Sequence, residues 1–358
     1  MSRSMWPFIR EDLVSLEPYV APQLPARFRL NTNESPYPPS QAVLDDLRDG
    51  FADLALNRYP ERDAPSLRIA LSEHAKRTPE EIWVANGSNE VLQHLFLAFA
   101  GPGRRVLTFE PTYSLHSLIA RITGSEVVQD LRNDSLAIDA DRAVSAVRQE
   151  QPSIVMLCSP NNPSGGCDPH ALIEALAAEV RGLVVVDEAY GEFASPDESA
   201  LGLVDDHPNV VVVKTLSKAW RLAGVRIGYM VAHPDIAAEM LRVRLPYHLS
   251  SVTQVIGGAA VAHTADALDK ISAIVSERDR IAIELQALGL KTYPSRANFV
   301  LFEVDDSDAV WQELLDRDVL IRNYSSQPLL DNCLRVTAGL PDENDAFLTA
   351  IREVVGGS

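Results

Sequence analysis

Cysteine is scarce in this sequence, and its three copies form no recognisable site. Cys158, Cys167 and Cys333 make neither a C-x-x-C pair nor a histidine-rich metal spacing. An odd number of cysteines in a chain of 358 residues argues against a disulfide framework and favours reduced thiols. We therefore expect a cytoplasmic protein without a metal site.

Long apolar runs are also missing. No run reaches the roughly 18 residues of a membrane-spanning helix, and residues 1–18 hold no apolar region typical of signal peptides. Positive charge is in deficit as well, because 32 basic residues stand against 50 acidic ones, for a formal net charge of -18. Since an acidic surface repels nucleic-acid backbones and anionic lipids, we expect no nucleic acid and no membrane as partners.

The phosphate-binding motifs of nucleotide enzymes are absent too. No G-x-G-x-x-G follows the first predicted strand, and no lysine stands in a Walker A loop. An NAD-dependent oxidoreductase therefore stays open only as an alternative at the level of the fold. Five of the 32 basic residues are lysines; composition bias explains four of them, and the exception is Lys218.

The pattern of apolar residues predicts an α/β fold for most of the chain. The first forty residues are rich in proline, which is typical of an extended arm. Short apolar runs then alternate with amphipathic stretches, as in a doubly wound, mainly parallel sheet with helices on both faces. The predicted strands are 82–85, 105–109, 126–128, 153–157, 182–187, 209–214 and 226–230.

After residue 230 the pattern indicates a second, smaller α+β domain. The helices predicted after residue 230 are 234–245, 252–288, 308–317 and 343–355, and the strands predicted there are 290–294, 298–304, 319–323 and 333–339. We place the arm at 1–40, the large α/β domain at 41–255 and the small domain at 256–358.

Polar residues follow four of the predicted strands, at the sheet edge where open α/β proteins bind their ligands. Gly87, Ser88 and Asn89 form a turn before a helix, which suits a phosphate group but also fits an ordinary helix N-cap. Further along, prolines flank Asn162 in a rigid turn that either fixes a side-chain amide for a ligand or is simply structural.

The other two strand ends carry charged groups. A charged Asp187 at the end of a buried strand is energetically unfavourable unless a cation or several hydrogen-bond donors of a ligand stabilise it. Tyr190, three residues later, can reach the same ligand. Lys218 has the makings of a Schiff-base nucleophile, although a surface loop lysine is the better explanation when this residue is taken alone. It is accompanied by further phosphate-binding candidates, namely Thr215, Ser217 and Arg226. Together, the four strand ends supply the parts that pyridoxal phosphate requires.

The motifs in their order along the chain extend this interpretation. They are N-G-S-N-E at 86–90, S-P-N-N-P-S-G at 159–165, D-E-A-Y at 187–190 and T-L-S-K-A-W-R-L-A-G-V-R-I-G-Y at 215–229, with R-x-D-L-x-x-L-x-P-Y at 10–19, R-Y-P at 58–60 and C-L-R-V-T-A-G at 333–339. This pattern resembles the fold-type I, class II aminotransferases that depend on pyridoxal phosphate. Within that group it most closely resembles the histidinol-phosphate aminotransferase family.

The resemblance implies a cofactor role for each strand-end residue. Lys218 would form the Schiff base with the cofactor and then transfer the proton of transamination, Asp187 would keep the pyridine nitrogen protonated, and Tyr113 would stack on the ring. Asn162 and Tyr190 would hydrogen-bond the ring's 3′-oxygen. The cofactor phosphate would lie among Gly87, Ser88, Asn89, Thr215, Ser217 and Arg226, with Tyr59 reaching it from a neighbouring subunit.

The resemblance also implies transamination of L-histidinol phosphate with 2-oxoglutarate, giving imidazole-acetol phosphate and glutamate, by a homodimer with shared active sites. Arg335 would take the substrate's anionic group, since a guanidinium fork suits a phosphate as well as a carboxylate. Arg322 fits either that role or a structural ion pair. The other substrate residues would be Tyr19, Asn33 and Tyr247.

Two departures from the family pattern, N-E-S-P-Y-P-P-S at 33–40 and S-P-N-N-P-S-G-G at 159–166, bear on the substrate and not on the cofactor. An aromatic amino-acid aminotransferase shares almost every motif. A threonine-phosphate decarboxylase differs only in which bond to the α-carbon breaks. A cofactor-binding regulator would carry a basic DNA-binding domain, which the net charge of -18 disfavours.

Overall fold

The computed structural model describes residues 8–14, 16–19 and 22–356. The other positions of the predicted arm, 1–7, 15, 20 and 21, and the last two residues of the small domain lie outside the described residues. The strands are β1 Phe28–Arg29, β2 Ile82–Ala85, β3 Arg105–Glu110, β4 Glu126–Leu131, β5 Ile154–Cys158, β6 Leu183–Asp187, β7 Val210–Thr215, β8 Gly228–Val231, β9 Phe299–Glu303, β10 Val319–Leu320, β11 Arg322–Asn323 and β12 Cys333–Thr337. The helices are α1 Gln41–Ala52, α2 Pro65–Ala75, α3 Ser88–Phe99, α4 Leu115–Ile122, α5 Ala140–Glu150, α6 His170–Glu179, α7 Pro234–Glu239, α8 Ser251–Ala262, α9 Thr264–Ala267, α10 Ile271–Ala287, α11 Ser307–Asp316 and α12 Pro341–Gly356.

A seven-stranded sheet forms the centre of the molecule, in the order β2-β8-β7-β6-β5-β3-β4. Strands β5, β6 and β7 are parallel and fully buried, because their runs of valine and isoleucine present apolar side chains to both faces. Strand β8 runs antiparallel to β7 and β2. The predicted α/β architecture with a mainly parallel sheet is confirmed, and all seven predicted strands are present with ends shifted by at most three residues.

The later part of the chain builds a second sheet, an antiparallel one in the order β11-β12-β9. The strand predicted at 290–294 is wrong, because this segment makes a single bridge, between Thr292 and Phe302. The strand predicted at 319–323 is divided, since β10 pairs with β1 of the arm while β11 pairs with β12. The arm is thus joined to the later half of the chain.

The long helix predicted over 252–288 is also wrong, because it is interrupted twice and becomes α8, α9 and α10. At the second interruption the Arg221 guanidinium donates to the backbone carbonyls of Asp266 and Ala267. A cation that satisfies carbonyls at a helix end stabilises that end. The predicted domain boundary at residue 255 falls inside α8 and stays a prediction. No helix in the described part of the chain has the length and apolarity needed to cross a bilayer.

A buried ion cluster lies beneath the ends of β6 and β7. The Lys214 ammonium lies 3.0 Å from Glu188 Oε2 and 3.4 Å from Glu192 Oε1, and all three side chains are at most 10% exposed. Burial alone would lower the pKa of Lys214, but the two carboxylates outweigh it and raise this pKa. Lys214 is therefore a buried structural cation. The attribution of this lysine to composition bias overlooks that role.

Replacing Lys214 by methionine is expected to lower the free energy of unfolding by about 3–5 kcal/mol, because it leaves two buried carboxylates without their cation. The measurement is the midpoint of thermal or urea unfolding. Lys270→Met is the matched control, since Lys270 pairs with Asp269 at the surface, where such a pair contributes about 1 kcal/mol or less. Equal midpoints for the two variants would contradict a structural role for Lys214.

Candidate active site

A cavity of about 360 Å³ opens where the carboxyl ends of β5, β6 and β7 meet the arm and the second sheet. Most of the residues predicted from the sequence line it: Tyr19, Asn33, Ser88, Asn89, Tyr113, Asn162, Asp187, Tyr190, Thr215, Ser217, Lys218, Arg226, Arg322 and Arg335. Residues distant in the sequence thus converge because parallel strands end at one edge of the sheet.

One end of the cavity is a cradle for an anion. Gly87 precedes α3 with φ +85°, and the Arg226 guanidinium packs so closely against it that a Cβ at this position would lie 2.5 Å from Arg226 Nη2. Arg226 Nη1 donates to Ser217 Oγ at 3.2 Å. At the start of α3, the N–H groups of Ser88 and Asn89 precede the first helical hydrogen bonds, which run from Glu90 and Val91 to the Gly87 carbonyl. Helix N–H groups, a guanidinium and hydroxyls together form a donor set that suits a phosphate.

Asp187 ends β6 inside the cavity and is 2% exposed. Its Oδ2 lies 2.9 Å from His116 Nε2, and its Oδ1 accepts the N–H of Ala189 at 3.1 Å. Cys158 Sγ lies close to both side chains, but burial raises the pKa of this thiol, so it stays protonated. A fixed carboxylate in this setting can hold a protonated ring nitrogen.

The Lys218 amine is held beneath the arm. Its Nζ donates to the Thr32 carbonyl at 2.9 Å and lies 5.9 Å from the centre of the Tyr190 ring. Burial lowers the pKa of Lys218 to about 8, and the Arg335 guanidinium contributes to this shift. The free amine of Lys218 is therefore populated near neutral pH far more than that of an ordinary lysine, as a nucleophile and proton carrier needs.

Tyr190 faces the same space. Its hydroxyl accepts a hydrogen bond from Asn33 Nδ2 at 2.8 Å, and burial raises the pKa of the phenol. Asn33, at φ +54°, is itself fixed by Thr337, whose Oγ1 accepts the N–H of Asn33 at 3.0 Å. The arm therefore orients a phenol that stays protonated and can donate to a ligand oxygen.

The opposite strand pair contributes two arginines. Arg335, on β12, is 3% exposed and donates to Asn162, to the Tyr324 hydroxyl at 2.7 Å and to the Asn31 carbonyl at 2.8 Å. Arg322 lies directly opposite Arg335 in the register of β11 and β12. Two guanidinium groups at one end of a cavity can bind an anionic substrate group.

Two predicted residues lie elsewhere. Tyr59 and Tyr247 stack on each other with ring centroids 4.5 Å apart, and they are 80% and 41% exposed. Neither contributes to the cavity around Lys218 within the same chain. The structure therefore separates this pair from the other predicted site residues. Gly87 does not line the cavity either, but it packs against the cavity residue Arg226.

Among the groups in or beside the cavity that sequence reasoning missed are His116, Tyr324 and the Thr32 carbonyl. His116 comes three residues after Tyr113 at the start of α4, and this helical spacing was its one signal. Tyr324 comes two residues after Arg322, a spacing that places both on one face of a strand. The Thr32 carbonyl, which accepts from Lys218, is a backbone group and leaves no signal in the sequence.

The comparisons with known proteins point to one family. The family described as aminotransferase class I and II matches residues 27–351. The histidinol-phosphate aminotransferase of Mycobacterium marinum is 46% identical over 352 residues, which cover 96% of this chain and 91% of that protein. That of Frankia casuarinae is 46% identical over 366 residues, which cover 98% of this chain and 91% of that protein.

A solved structure agrees as well. The histidinol-phosphate aminotransferase of Sinorhizobium meliloti, in complex with pyridoxal-5′-phosphate, is similar with a TM-score of 0.88 and 26% identity, over 99% of this chain and all of that one. Because the family matches most of the sequence and the relatives cover nearly all of it, the chain belongs to the class I and II aminotransferases.

Proposed function

We propose that this enzyme transaminates L-histidinol phosphate with 2-oxoglutarate, giving imidazole-acetol phosphate and glutamate, with pyridoxal 5′-phosphate as cofactor. The observation that carries the cofactor is the convergence of Lys218, Asp187 and the Gly87–Arg226 cradle on one cavity. These groups suit an aldehyde, a protonated ring nitrogen and a phosphate, in that order. The amino donor is inferred from the relatives of 46% identity, which are histidinol-phosphate aminotransferases.

The residues of this chain divide the work of the reaction. When bound, pyridoxal phosphate supplies an aldehyde for the amino group and a ring that withdraws electrons from the α-carbon. Lys218 would hold the cofactor through its aldehyde and, once displaced from it by the donor's amino group, would move a proton at the substrate's α-carbon with its free amine. Asp187, oriented by His116, would hold a proton on the ring nitrogen. Tyr190 and Asn162 would hydrogen-bond the ring oxygen, while Arg335 would bind the anionic group of the donor.

The pKa of Lys218 predicts how cofactor capture depends on pH. Only the free amine attacks an aldehyde, so capture is slow below the pKa of about 8 and levels off above it. Burial, Arg335 and Arg226 lower this pKa, and Glu34 and Asp187 oppose them. The measurement is the rate at which the visible absorbance of the bound cofactor appears after mixing with cofactor-free protein. A rate that keeps rising through about pH 10, near the pKa of an ordinary lysine, would contradict the prediction.

We also propose a homodimer in which Tyr59 and Tyr247 of each subunit complete the partner subunit's site. Leu56 and Leu245, in the same two segments, are each 75% exposed, and Arg244 joins these segments through Arg62 and Asp63. An exposed patch of aromatic and aliphatic side chains favours association. A monomer in sedimentation equilibrium at micromolar concentration, with full activity, would overturn this proposal. The cytoplasmic location inferred from the three cysteines stays a prediction.

The test of the substrate uses the cofactor-loaded enzyme in single turnovers. Histidinol phosphate, phenylalanine and threonine phosphate are added separately, and loss of the cofactor's visible absorbance is followed. We expect histidinol phosphate to act at a far lower concentration than phenylalanine. A preference for phenylalanine would retain the cofactor site and overturn the proposed donor. Release of CO₂ from threonine phosphate without consumption of an oxo-acid would identify the decarboxylase instead.

A further inference from the structure

Tyr324 is the cavity residue to which the reaction above assigns no part. Its side chain is buried, and its hydroxyl lies 2.7 Å from Arg335 Nη1 and 3.2 Å from Asn162 Oδ1. Because the guanidinium can only donate, the hydroxyl accepts from Arg335 and has its proton left to donate to Asn162. The phenol therefore connects the arginine that binds the substrate anion with the amide proposed to bind the cofactor ring.

The position of the ring adds a second observation. Arg322 and Arg335 are direct cross-strand partners, an arrangement in which like charges repel each other. The Tyr324 ring centroid lies 5.9 Å from the guanidinium carbon of Arg322 and 5.2 Å from that of Arg335. An aromatic face attracts a cation at such distances. The ring therefore contacts both cations and offsets part of their repulsion.

Arg335 has two of its five N–H donors left when these bonds are counted, one on Nη2 and the one on Nε. Its Nη1 donates to Tyr324 and Asn162 and its Nη2 to the Asn31 carbonyl, while its buried Nε has no partner among the described residues. A buried donor without a partner is costly, and an anionic ligand would satisfy it. The orientation of the Arg335 guanidinium toward such a ligand thus depends on the partners of its Nη1 and Nη2 atoms, which are Tyr324, Asn162 and the Asn31 carbonyl.

We propose that Tyr324 is a positioning residue for anion recognition: its hydroxyl orients Arg335 and the Asn162 amide, and its ring keeps Arg335 in place beside Arg322. This inference rests on the proposed function, because it names the residue that prepares that site for its substrate. Tyr324 also fixes Asn162 Oδ1 as an acceptor, which leaves Asn162 Nδ2 as the donor toward the cofactor ring.

The test compares Tyr324→Phe with Tyr293→Phe in the cofactor-loaded enzyme. Tyr293 is a matched control, because it packs in the same apolar cluster but donates its hydroxyl to Glu303, away from the cavity. Tyr324→Phe is expected to raise KM for histidinol phosphate and for glutamate about 10-fold, the effect of losing one hydrogen bond to a charged group, with kcat changed about 3-fold or less. Tyr293→Phe is expected to leave both constants unchanged.

A second readout needs no turnover. Without substrate, the visible absorbance of the bound cofactor is titrated with pH, and Tyr324→Phe is expected to move the midpoint upward by about 0.5 unit, because the loosened Asn162 amide donates less firmly to the ionised ring oxygen. Tyr324→Leu, which also removes the ring, is expected to raise KM further. If this variant unfolds, Tyr324→Phe still decides the question.

Three results would overturn the positioning role. They are KM values and a midpoint that match those of Tyr293→Phe, a fall in kcat without a change in KM, and a rise in KM for one donor alone. Failure of the proposed function is a separate result, in which the wild-type enzyme rejects histidinol phosphate but accepts another anionic donor. In that case, the KM for the accepted donor must rise in Tyr324→Phe by the same factor.

Discussion

Replacing Lys218 by alanine is expected to reduce turnover at least about 10²–10⁴-fold, the range that a positioned proton carrier contributes. Among the described lysines, Lys218 is the one that lines the cavity. The measurement is the rate of a single turnover with histidinol phosphate and with glutamate. The cofactor should still bind through the cradle of Gly87 and Arg226, although no longer covalently, so the protein should lose its rate while keeping its ligand.

Two controls separate this effect from damage to the fold. The unfolding midpoint of Lys218→Ala should stay near that of the wild type. The reason is that, among the described residues, the Lys218 side chain makes a single hydrogen bond, from its Nζ to the Thr32 carbonyl. Lys270→Ala, at the surface, should leave the rate unchanged. Turnover of Lys218→Ala at the wild-type rate would refute the assigned mechanism.

Replacing Asp187 by alanine is expected to lower kcat roughly 10²–10³-fold, as for the loss of one preorganised electrostatic partner of the transition state. The reason is that its Oδ2 is fixed by His116 at 2.9 Å, so the carboxylate is aimed into the cavity before any ligand arrives. Stability should fall by only about 1–3 kcal/mol, the cost of leaving His116 Nε2 without its partner. Steady-state rates and urea unfolding on the same preparation measure both.

Asp168→Ala is the matched control for Asp187. Asp168 is equally buried and pairs with Arg132 at 3.1 Å, but it does not line the cavity. Its loss should cost about 3–5 kcal/mol of stability, since it leaves a buried cation unpaired, while the folded enzyme keeps its rate. If Asp187→Ala instead kept its rate and lost stability as Asp168→Ala does, Asp187 would be a structural residue.

The sequence predicts the cofactor side of this site well, for a physical reason. Strands such as Val210–Thr215 are buried on both faces and therefore read as continuous apolar runs, with ends that are easy to find. Because parallel strands end at one edge, Asp187, Thr215 and Lys218 had to be neighbours once the strands were identified. Here a local pattern was sufficient to predict which distant residues meet.

The substrate side was less predictable, since it depends on contacts that no local pattern encodes. Tyr324 is fixed by Arg335 of β12, and the break between α9 and α10 is stabilised by Arg221, a loop residue that precedes both helices in the sequence. Tyr247 was assigned to the substrate side by the resemblance alone, yet it stacks on Tyr59 at the exterior. In each case, a tertiary partner decides where the side chain lies.

The pairing of the arm with the later half of the chain also sets an order of assembly during synthesis. Arg335 donates to the Asn31 carbonyl across 304 positions of sequence, and Leu30 accepts the N–H of Thr337. The strand pairing of Phe28–Arg29 and the bonds of Leu30 and Asn31 to β12 therefore cannot form until the ribosome has released almost the entire chain. Since domains otherwise fold as they emerge, the sheet can form early while the anion site comes last. A nascent fragment thus has no finished site, and catalytic competence arises only on completion of the chain.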